Sequence, residues 1–573
     1  MKILLCAINA KYIHTNIAVR LIKGYCLSAL SSDIDVVEYT INNYIDDIVQ
    51  DLYKKSPDVI AFSCYIWNIE MIKKIMKIMK VIMPDIRLIM GGPEVSYNAT
   101  EVLGECPDCD IIIRGEGERS SLELFSAFEN KADLADINGI TYRNNDGVIV
   151  SNNASVPVDM SDLPFPYDDI TQTDNKICYY EASRGCPFNC QYCLSSIEKK
   201  VRFAPIEKVK KELKIFIDHK VKQVKFVDRT FNANSKFAGE IIEFIMDNDN
   251  GITNFHFEVA AELMTEELIT LLQKARKGLF QLEIGVQSTN EQTLSEISRK
   301  GEFEKICDVT GKIKSSYNIH IHLDLIAGLP YENLKSFISS YNDVYSLRPH
   351  QLQLGFLKIL HGSGMENMCD KHGIKYSPYA PYEILKTDEL SFDDVLFLKE
   401  IENMTEKYYN SNRFVHSMEY LVKFCDTPFE MYSKFANFEK LHFKESAVHN
   451  KNDSYRFILS VVREFDGADI EELKWCLKLD YILHEKPKGT PDWTECCLNI
   501  FDKNDVYERL VRQNIVPDYF PEYSGFSPKE TANYTHIEKM PVNPVNLEKK
   551  ETIILVNYKN RDLYGNAKFM IIA

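Results

Sequence analysis

The segment Ser183–Cys193 has the sequence SRGCPFNCQYC and carries three cysteines. Cys186, Cys190 and Cys193 are spaced by four and three residues, so one loop can point all three sulfur atoms inward. Thiolates are the natural ligands of iron–sulfur clusters. Structural zinc usually takes four ligands, and no fourth ligand is adjacent to this segment. The spacing therefore favours a four-iron four-sulfur cluster over a zinc site.

Three cysteine ligands would leave one iron of such a cluster without a protein ligand. An iron of this kind can chelate a small molecule that carries an amine and a carboxylate, such as the methionine end of S-adenosylmethionine. With the aromatic Tyr192 directly before the last cysteine, the segment resembles the cluster motif of the radical S-adenosylmethionine superfamily. The resemblance implies an anaerobic enzyme that cleaves S-adenosylmethionine reductively at the cluster.

Four later segments resemble strand ends of this superfamily. Residues 227–231 resemble the segment after its second strand. Residues 257–259, 284–288 and 324–330 resemble the third, fourth and fifth strand ends of its porphyrinogen-oxidase-like branch. By this likeness, the residues that would bind S-adenosylmethionine are Tyr192, Asp228, Glu258, Gln287 and Asp324. Carboxylates and an amide suit a sulfonium cation that carries two ribose hydroxyl groups. The two-glycine-and-glutamate signature common after the second strand is absent here. The resemblance assigns no catalytic residue.

The first 130 residues alternate between short apolar runs and helical patterns. The strand candidates are Lys2–Ile8, Ile34–Tyr39, Val59–Ser63, Ile86–Met90 and Ile111–Ile113. Short runs rich in Ile and Val are typical of parallel strands buried on both faces. The alternation therefore predicts an α/β domain with a doubly wound, Rossmann-like parallel sheet over residues 1–135. Glycine-rich turns follow the fourth and fifth strands, at the sheet edge where such domains bind ligands.

A doubly wound domain directly before such a barrel resembles the cobalamin-binding branch of the superfamily. The resemblance implies cobalamin contacts at the strand ends, by Asn9, His14, Ser63, Tyr65, Gly91, Gly92, Pro93, Gly115 and Glu116. Glycines at these turns would let the backbone approach the nucleotide tail of a corrinoid. The Asp-x-His-x-x-Gly signature that supplies an imidazole to cobalt is absent, and His14 is the only histidine in residues 1–150. We therefore expect His14 to form hydrogen bonds rather than to ligate cobalt.

A second alternation predicts a partial (β/α)6 barrel over residues 177–376, after a hairpin and linker at 136–176. Its six strand candidates are Cys178–Ala182, Gln223–Val227, Asn254–Ala260, Phe280–Val286, His320–Ile326 and Gln351–Lys358. The active site of such a barrel lies at the carboxyl ends of its strands. Helical patterns with many aromatic residues then predict a mainly helical C-terminal domain over residues 377–573, with an irregular end.

The net charge and the cysteines restrict which kinds of partner and which cellular location we expect. The net charge is −17, from 67 basic and 84 acidic residues, which makes nucleic acid an unlikely partner. The fifteen cysteines are scattered and odd in number, which argues against a disulfide framework. The apolar start, Ile3 to Ile8, is too short for a signal peptide, so we expect a cytoplasmic protein. No apolar run is long enough to span a membrane. We expect a small-molecule or peptide substrate, and an electron donor such as flavodoxin or ferredoxin.

Together these features favour a transferase or cyclase that methylates, cyclises or rearranges an unactivated substrate carbon, and two alternatives stay open. A methylthiotransferase would hold a second cluster on Cys6, Cys64 and either Cys106 or Cys109. Its small RNA-binding β-barrel is not expected in a helical C-terminal region. A corrinoid- or metal-binding sensor without catalysis is the other alternative. The pair Cys496 and Cys497 is interpreted as thiols without a function.

Overall fold

The structure, a computed structural model, describes residues 1–144, 146–442, 451–487, 493 and 508–572. They fall into two units. The first holds residues 1–319, 326–333 and 355–392, and the second holds the described residues of 320–325, 334–354 and 393–573. None of the helices in the described residues is long and apolar enough to cross a membrane. Cys496 and Cys497 lie outside the described residues.

The first unit begins with a seven-stranded sheet. Its strands are β1 Lys2–Asn9, β2 Asp33–Thr40, β3 Val59–Ser63, β4 Arg87–Gly91, β5 Ile111–Ile113, β6 Ile140–Arg143 and β7 Ile149–Ser151. They lie in the order β2-β1-β3-β4-β5-β6-β7. The first five strands are parallel, and the predicted hairpin joins the same sheet as the antiparallel strands β6 and β7. The reversal of strand order beside β1 is typical of doubly wound sheets.

Six helices cover both faces of this sheet. They are α1 Ile17–Leu27, α2 Ile45–Lys54, α3 Ile69–Ile82, α4 Pro93–Ser96, α5 Ala99–Glu105 and α6 Gly117–Asn130. Helices α2, α3 and α5 pack on one face, and α1 and α6 pack on the other. Because both faces are covered, the strands are continuous apolar runs, which is the signal that predicted them. The predicted doubly wound parallel sheet is confirmed.

Strands and helices alternate again from Ile177 to Phe356. The strands are β8 Ile177–Tyr180, β9 Ser183–Arg184, β10 Arg202–Phe203, β11 Gln223–Phe226, β12 Asn254–Glu258, β13 Phe280–Gln287, β14 His320–Ala327 and β15 Gln351–Phe356. The helices are α7 Ile206–Asp218, α8 Ser235–Asp247, α9 Glu266–Gln273, α10 Glu291–Glu296, α11 Phe303–Lys314 and α12 Leu334–Ser346. Within the first unit β8, β11, β12 and β13 are parallel neighbours in that order. This is the predicted alternation of a partial barrel.

The boundary between the two units falls inside β14 and β15. The first unit ends with a short antiparallel pair, β16 Lys375–Tyr376 and β17 Ile384–Lys386. Helices dominate the second unit, as predicted. Besides α12 they are α13 Phe392–Thr405, α14 Val415–Leu421, α15 Pro428–His442, α16 Lys451–Val461, α17 Ile470–His484, α18 Val516–Tyr519 and α19 Pro528–Tyr534.

A three-stranded antiparallel sheet replaces the irregular end that the sequence predicted. Its strands are β18 Thr535–Met540, β19 Thr552–Arg561 and β20 Ala567–Ile572. The sheet packs on α17, where Leu479 and Ile482 lie in one apolar cluster with Met540 and Val556. The strands form because this helix covers one face of them, a long-range contact that a local pattern does not reveal.

We expect the replacement of Gly92 by Ala to destabilise the N-terminal domain. Gly92 joins β4 to α4 with a φ of +110°, and a Cβ there would lie 2.6 Å from the carbonyl oxygen of Cys64. Strained backbone of this kind costs about 1–3 kcal/mol of unfolding free energy. The control is Gly104→Ala in α5, where an added Cβ meets nothing within 4 Å. That change should stabilise by about 0.5–1 kcal/mol. Urea unfolding followed by circular dichroism measures both, and equal effects would contradict the assignment.

Asp228, two residues beyond β11, should make stability depend on pH. Burial raises its pKa from 3.8 to about 7, so the folded chain holds this proton more tightly than the unfolded chain. Its contribution to the free energy of unfolding is therefore full below about pH 4 and is lost as the pH rises through about 7. We expect a lower thermal midpoint at about pH 8 than at about pH 5.5. Asp228→Asn should reduce this difference.

The buried Asp480, whose pKa burial raises to about 6, titrates in part of the same pH window. The effect of Asp228 is therefore obtained by subtracting the pH dependence of the thermal midpoint of Asp228→Asn from that of the native protein. Asp247→Asn at the exposed end of α8 is the control and should keep the native profile. A native profile in the Asp228→Asn variant would show that this carboxyl does not titrate with folding.

Candidate active site

The three cysteines lie on a loop whose two ends are fastened together. At its neck β9 and β10 pair antiparallel, with Arg184 opposite Arg202. The amide of Cys186 donates to the carbonyl oxygen of Glu198 at 3.0 Å. Gly185 has a φ of +97°, and a Cβ there would lie 2.5 Å from the carbonyl oxygen of Lys200. Only glycine permits this close approach of the two loop ends.

None of the three cysteine side chains forms a disulfide. Cys186 and Cys190 are buried and Cys193 is half-buried. The Sγ atom of Cys186 lies 3.5 Å from the hydroxyl oxygen of Thr230, and the amide of Cys193 donates to the carbonyl oxygen of Cys190 at 3.1 Å. Three unlinked thiols on one closed loop fit the ligand set of a four-iron four-sulfur cluster.

Arg299 contacts this loop and was not predicted from the sequence. Its Nη1 donates to the Sγ atom of Cys190 at 3.9 Å, and its Nη2 donates to the carbonyl oxygen of Gly285. Burial raises the pKa of the Cys190 thiol, and the guanidinium of Arg299 opposes that rise. Arg299 therefore favours the thiolate that a metal requires. In the sequence it precedes Lys300 and looks like part of an ordinary basic surface, so no local signal marked it.

Asp228 supports the strand that leads into the cysteine loop. Its Oδ2 accepts from the amide of Ala182 at 2.9 Å, and its Oδ1 accepts from the hydroxyl of Ser183 at 2.6 Å. The side chain is only 1% exposed. Both carboxylate oxygens therefore already hold the loop entrance. Its predicted contact with S-adenosylmethionine stays a prediction.

Gln287 ends β13 in an unusual backbone conformation. Its φ is +73°, in the left-handed region that residues other than glycine rarely adopt. The side chain is buried, and its Oε1 has no hydrogen-bond partner in the described part of the chain. A buried polar atom without a partner costs free energy unless a ligand satisfies it. Gln287 thus has the features expected of a residue that receives a ligand.

The other predicted S-adenosylmethionine contacts have different surroundings. Glu258 is the last residue of β12 and is half-buried. Tyr192 packs against an apolar cluster that contains Leu329. Asp324 lies in β14, in the part that belongs to the second unit, and its Oδ1 lies 3.1 Å from Nε2 of His322. These three assignments stay predictions.

A cavity of about 650 Å³ lies between the strand ends of the N-terminal sheet and the base of the cysteine loop. Four predicted cobalamin residues line it, namely Asn9, His14, Tyr65 and Glu116. From the barrel side it is lined by Tyr179, Glu181, Arg184, Gly185, Leu194, Ser195 and Arg229. Ser63 does not line it but accepts a hydrogen bond at 3.4 Å from Asn16, which does. The predicted glycine-turn residues outside its lining are Gly91, Gly92, Pro93 and Gly115.

The N-terminal wall of this cavity is largely aromatic. Tyr65 stacks on Trp67 with ring centroids 4.3 Å apart, and both rings line the cavity. Nδ1 of His14 lies 2.9 Å from the hydroxyl oxygen of Tyr179. Burial lowers the pKa of His14, with smaller contributions from two lysines, so its imidazole is neutral near pH 7. A neutral imidazole that already contacts a tyrosine agrees with a hydrogen-bonding role.

The cysteines of the methylthiotransferase alternative lie in the core of the N-terminal domain. Cys6, Cys64, Cys106 and Cys109 are buried in one apolar cluster. Burial raises the pKa of each of these thiols, which disfavours the thiolate form. Their surroundings argue against a second cluster.

Three family models match the chain in succession. Residues 3–125 match the B12 binding domain, and residues 180–344 match the Radical SAM superfamily. Residues 370–556 match a family described as a protein of unknown function, DUF4080. The first two matches cover the sheet and the cysteine loop that line the cavity.

The chain is similar to curated relatives and to solved structures. The cobalamin-dependent radical SAM methyltransferase TokK of Streptomyces tokunonensis is 25% identical over 57% of this chain and 51% of its own length. The anaerobic magnesium-protoporphyrin IX monomethyl ester cyclase of Rubrivivax gelatinosus is 25% identical over 56% of this chain and 60% of its own. The cobalamin-dependent S-adenosylmethionine radical enzyme OxsB has a TM-score of 0.58 at 16% identity, over 91% of this chain and 84% of its own. Within this chain, a segment that matches the B12 binding domain, residues 3–125, thus precedes a segment that matches the Radical SAM superfamily, residues 180–344.

Proposed function

We propose that this chain is a radical S-adenosylmethionine enzyme that uses cobalamin to methylate, cyclise or rearrange an unactivated carbon of a small-molecule substrate. The observation that carries the proposal is the single cavity that the B12 binding domain and the cysteine loop line together. Both walls come from the carboxyl ends of parallel strands, which is where such sheets bind ligands. Residues of the cysteine loop line this cavity, whereas Cys186, Cys190, Cys193 and Gln287 do not. The cavity would therefore hold cobalamin beside the loop that carries the cluster.

Cys186, Cys190 and Cys193 would hold the four-iron four-sulfur cluster. When bound, the cluster would supply the electron that cleaves S-adenosylmethionine. Arg299 favours the thiolate of Cys190, and Thr230 contacts Cys186, so the loop is prepared for a metal. The half-buried position of Cys193 leaves one side of the loop open to a ligand.

Gln287 would bind S-adenosylmethionine through its carboxamide. The unsatisfied Oε1 can accept a hydrogen bond from a ribose hydroxyl group, and this bond would remove the cost of burying the atom. Tyr192, Asp228, Glu258 and Asp324 are proposed as further contacts from the family resemblance. Carboxylates among them would favour the positive sulfonium group.

The N-terminal wall of the cavity would hold cobalamin. The stacked rings of Tyr65 and Trp67 offer a flat apolar surface to a corrin ring, and Asn9 and His14 offer polar contacts at its edge. These features fit a large planar ligand with a polar rim. Ser63, Gly91, Gly92, Pro93, Gly115 and Glu116 are proposed as further cobalamin contacts from the family resemblance.

The proposal names classes of reaction and of partner rather than one reaction and one partner. The relatives named above are a methyltransferase and a cyclase, and the chain spans only 51% and 60% of their lengths. Both activities therefore remain open for this chain. A small-molecule or peptide substrate, and a flavodoxin or ferredoxin as electron donor, belong to the same proposal. The division into domains after residues 135, 176 and 376 is also part of this proposal.

Iron content tests the cluster. After anaerobic reconstitution with iron and sulfide, the native protein should hold about four iron atoms per chain, as one cubane cluster requires. The triple change of Cys186, Cys190 and Cys193 to Ala should hold almost none, because the ligand set is gone. The control is the double change of Cys307 and Cys369 to Ala, two half-buried cysteines elsewhere in the first unit.

The control variant should keep its iron, and the triple variant should still bind hydroxocobalamin, seen in its absorbance spectrum. Iron retained by the triple variant would mean that other cysteines are the ligands. About eight iron atoms per native chain would instead favour the methylthiotransferase alternative, with two such clusters.

Equilibrium dialysis with S-adenosylmethionine tests Gln287. In the reconstituted protein, Gln287→Ala should weaken binding by about 1–3 kcal/mol, or about one to two decades in Kd. Its iron content should not change. The control is Gln281→Ala, which removes the same side chain from the start of the same strand. Equal affinities in the two variants would remove Gln287 from the binding site.

A further inference from the structure

Two arginines face each other at the neck of the cysteine loop. In the register of β9 and β10, Arg184 is the direct partner of Arg202. Like charges directly opposite each other on antiparallel strands destabilise the pair. The side chains are only 12% and 17% exposed, so water screens their repulsion poorly. Carboxylates beside both guanidinium groups offset this repulsion.

The N-terminal domain supplies the carboxylate that joins the two arginines. Oε2 of Glu116 lies 3.2 Å from Nη1 of Arg184, and Oε1 of the same carboxylate pairs with Nη2 of Arg202. Glu118 adds a second contact to Arg184 at 2.6 Å. Glu116 is the N-cap residue of α6, and Glu118 lies in the first turn of that helix. One helix start therefore contacts both strands of the neck.

The barrel supplies two further carboxylates. Glu181 lies 2.9 Å from Nε of Arg184, and Glu198 lies 2.9 Å from Nη2 of Arg202. These contacts are local, since each glutamate is three or four residues from its arginine. They offset the charge of one arginine each but do not connect the two. Only Glu116 bridges the pair within the described residues.

We infer that Glu116 and Glu118 form a latch that closes the neck of the cysteine loop, and thereby position the cluster cysteines. Cys186 follows Arg184 by two residues, and its amide is bound to the strand that leads to Arg202. A change at the latch therefore reaches the first cysteine through rigid backbone. Glu116 was predicted as a cobalamin contact, and the structure gives its carboxylate these two arginine partners as well as the amide of Val158 at 2.9 Å.

Hydrogen exchange of the cofactor-free full-length protein tests the latch without relying on the proposed function. In Glu116→Gln the two guanidinium groups lose their shared carboxylate, so the neck should open more often. We expect amide exchange in peptides covering residues 185–201 to accelerate about tenfold, because breaking a buried ion pair is costly. Glu123→Gln, an exposed change on the same helix, should leave that exchange unchanged.

A second change separates charge balance from simple damage to the fold. After Glu116→Gln, the guanidinium of Arg202 keeps only Glu198 and the carbonyl oxygen of Val158 as partners, without the contact that joins it to Arg184. Adding Arg202→Met removes this guanidinium and its repulsion of Arg184. The double variant should therefore exchange more slowly than Glu116→Gln in residues 185–201. A double variant that exchanges as fast or faster would overturn the latch, because a merely structural role of Glu116 predicts additive damage.

Iron release links the latch to the cysteines and rests on the proposed function. In reconstituted protein, a ferrous-iron chelator should remove iron about tenfold faster from Glu116→Gln than from Glu123→Gln, following the same opening of the neck. If the native protein binds no iron, the proposed function fails while the exchange experiment still decides the latch. If iron binds but neither exchange nor iron release responds to Glu116→Gln, the latch is wrong and the cluster assignment stands.

Discussion

Pairing of buried charge around one short loop is the constraint on which the candidate site depends. Asp228 holds the loop entrance, the neck arginines hold its two ends, and Arg299 reaches the central cysteine. Each group would be costly to bury alone and is tolerated because it has a partner. The loop is thus fixed by the short β9–β10 pair together with ion pairs and hydrogen bonds at its ends, which suits a segment that must leave three sulfur atoms available to a metal.

This arrangement makes the two halves of the first unit interdependent. The N-terminal sheet would be a complete Rossmann-like domain without the barrel, yet the start of α6 donates carboxylates to the barrel loop. The bridge between His14 and Ile177 aligns the end of β1 with the first barrel strand. The cavity wall is therefore assembled from both domains, and its shape depends on contacts that neither domain makes alone.

The sequence predicted what depends on local periodicity and missed what depends on distant partners. Both strand–helix alternations and the cysteine segment could be predicted because their sequence patterns involve residues that are close together in the chain. Arg299 and the pairing of Glu116 with Arg184 were missed because nothing near them in the chain identifies a partner. The strand β19, with the sequence TIILVNYKNR, was missed because its burial comes from α17, about seventy residues earlier. The cobalamin contacts that the sequence predicted for Ser63 and Gly115 remain predictions.

The two units alternate along the chain, so neither unit is one continuous segment. The chain passes between them five times, at residues 319/320, 325/326, 333/334, 354/355 and 392/393. Parts of β14 and β15 belong to one unit while their continuations belong to the other. A truncation before α13 would therefore remove most of the second unit and leave two of its segments, residues 320–325 and 334–354, behind. Unlike domains joined end to end, these units cannot be separated by a single cut in the chain.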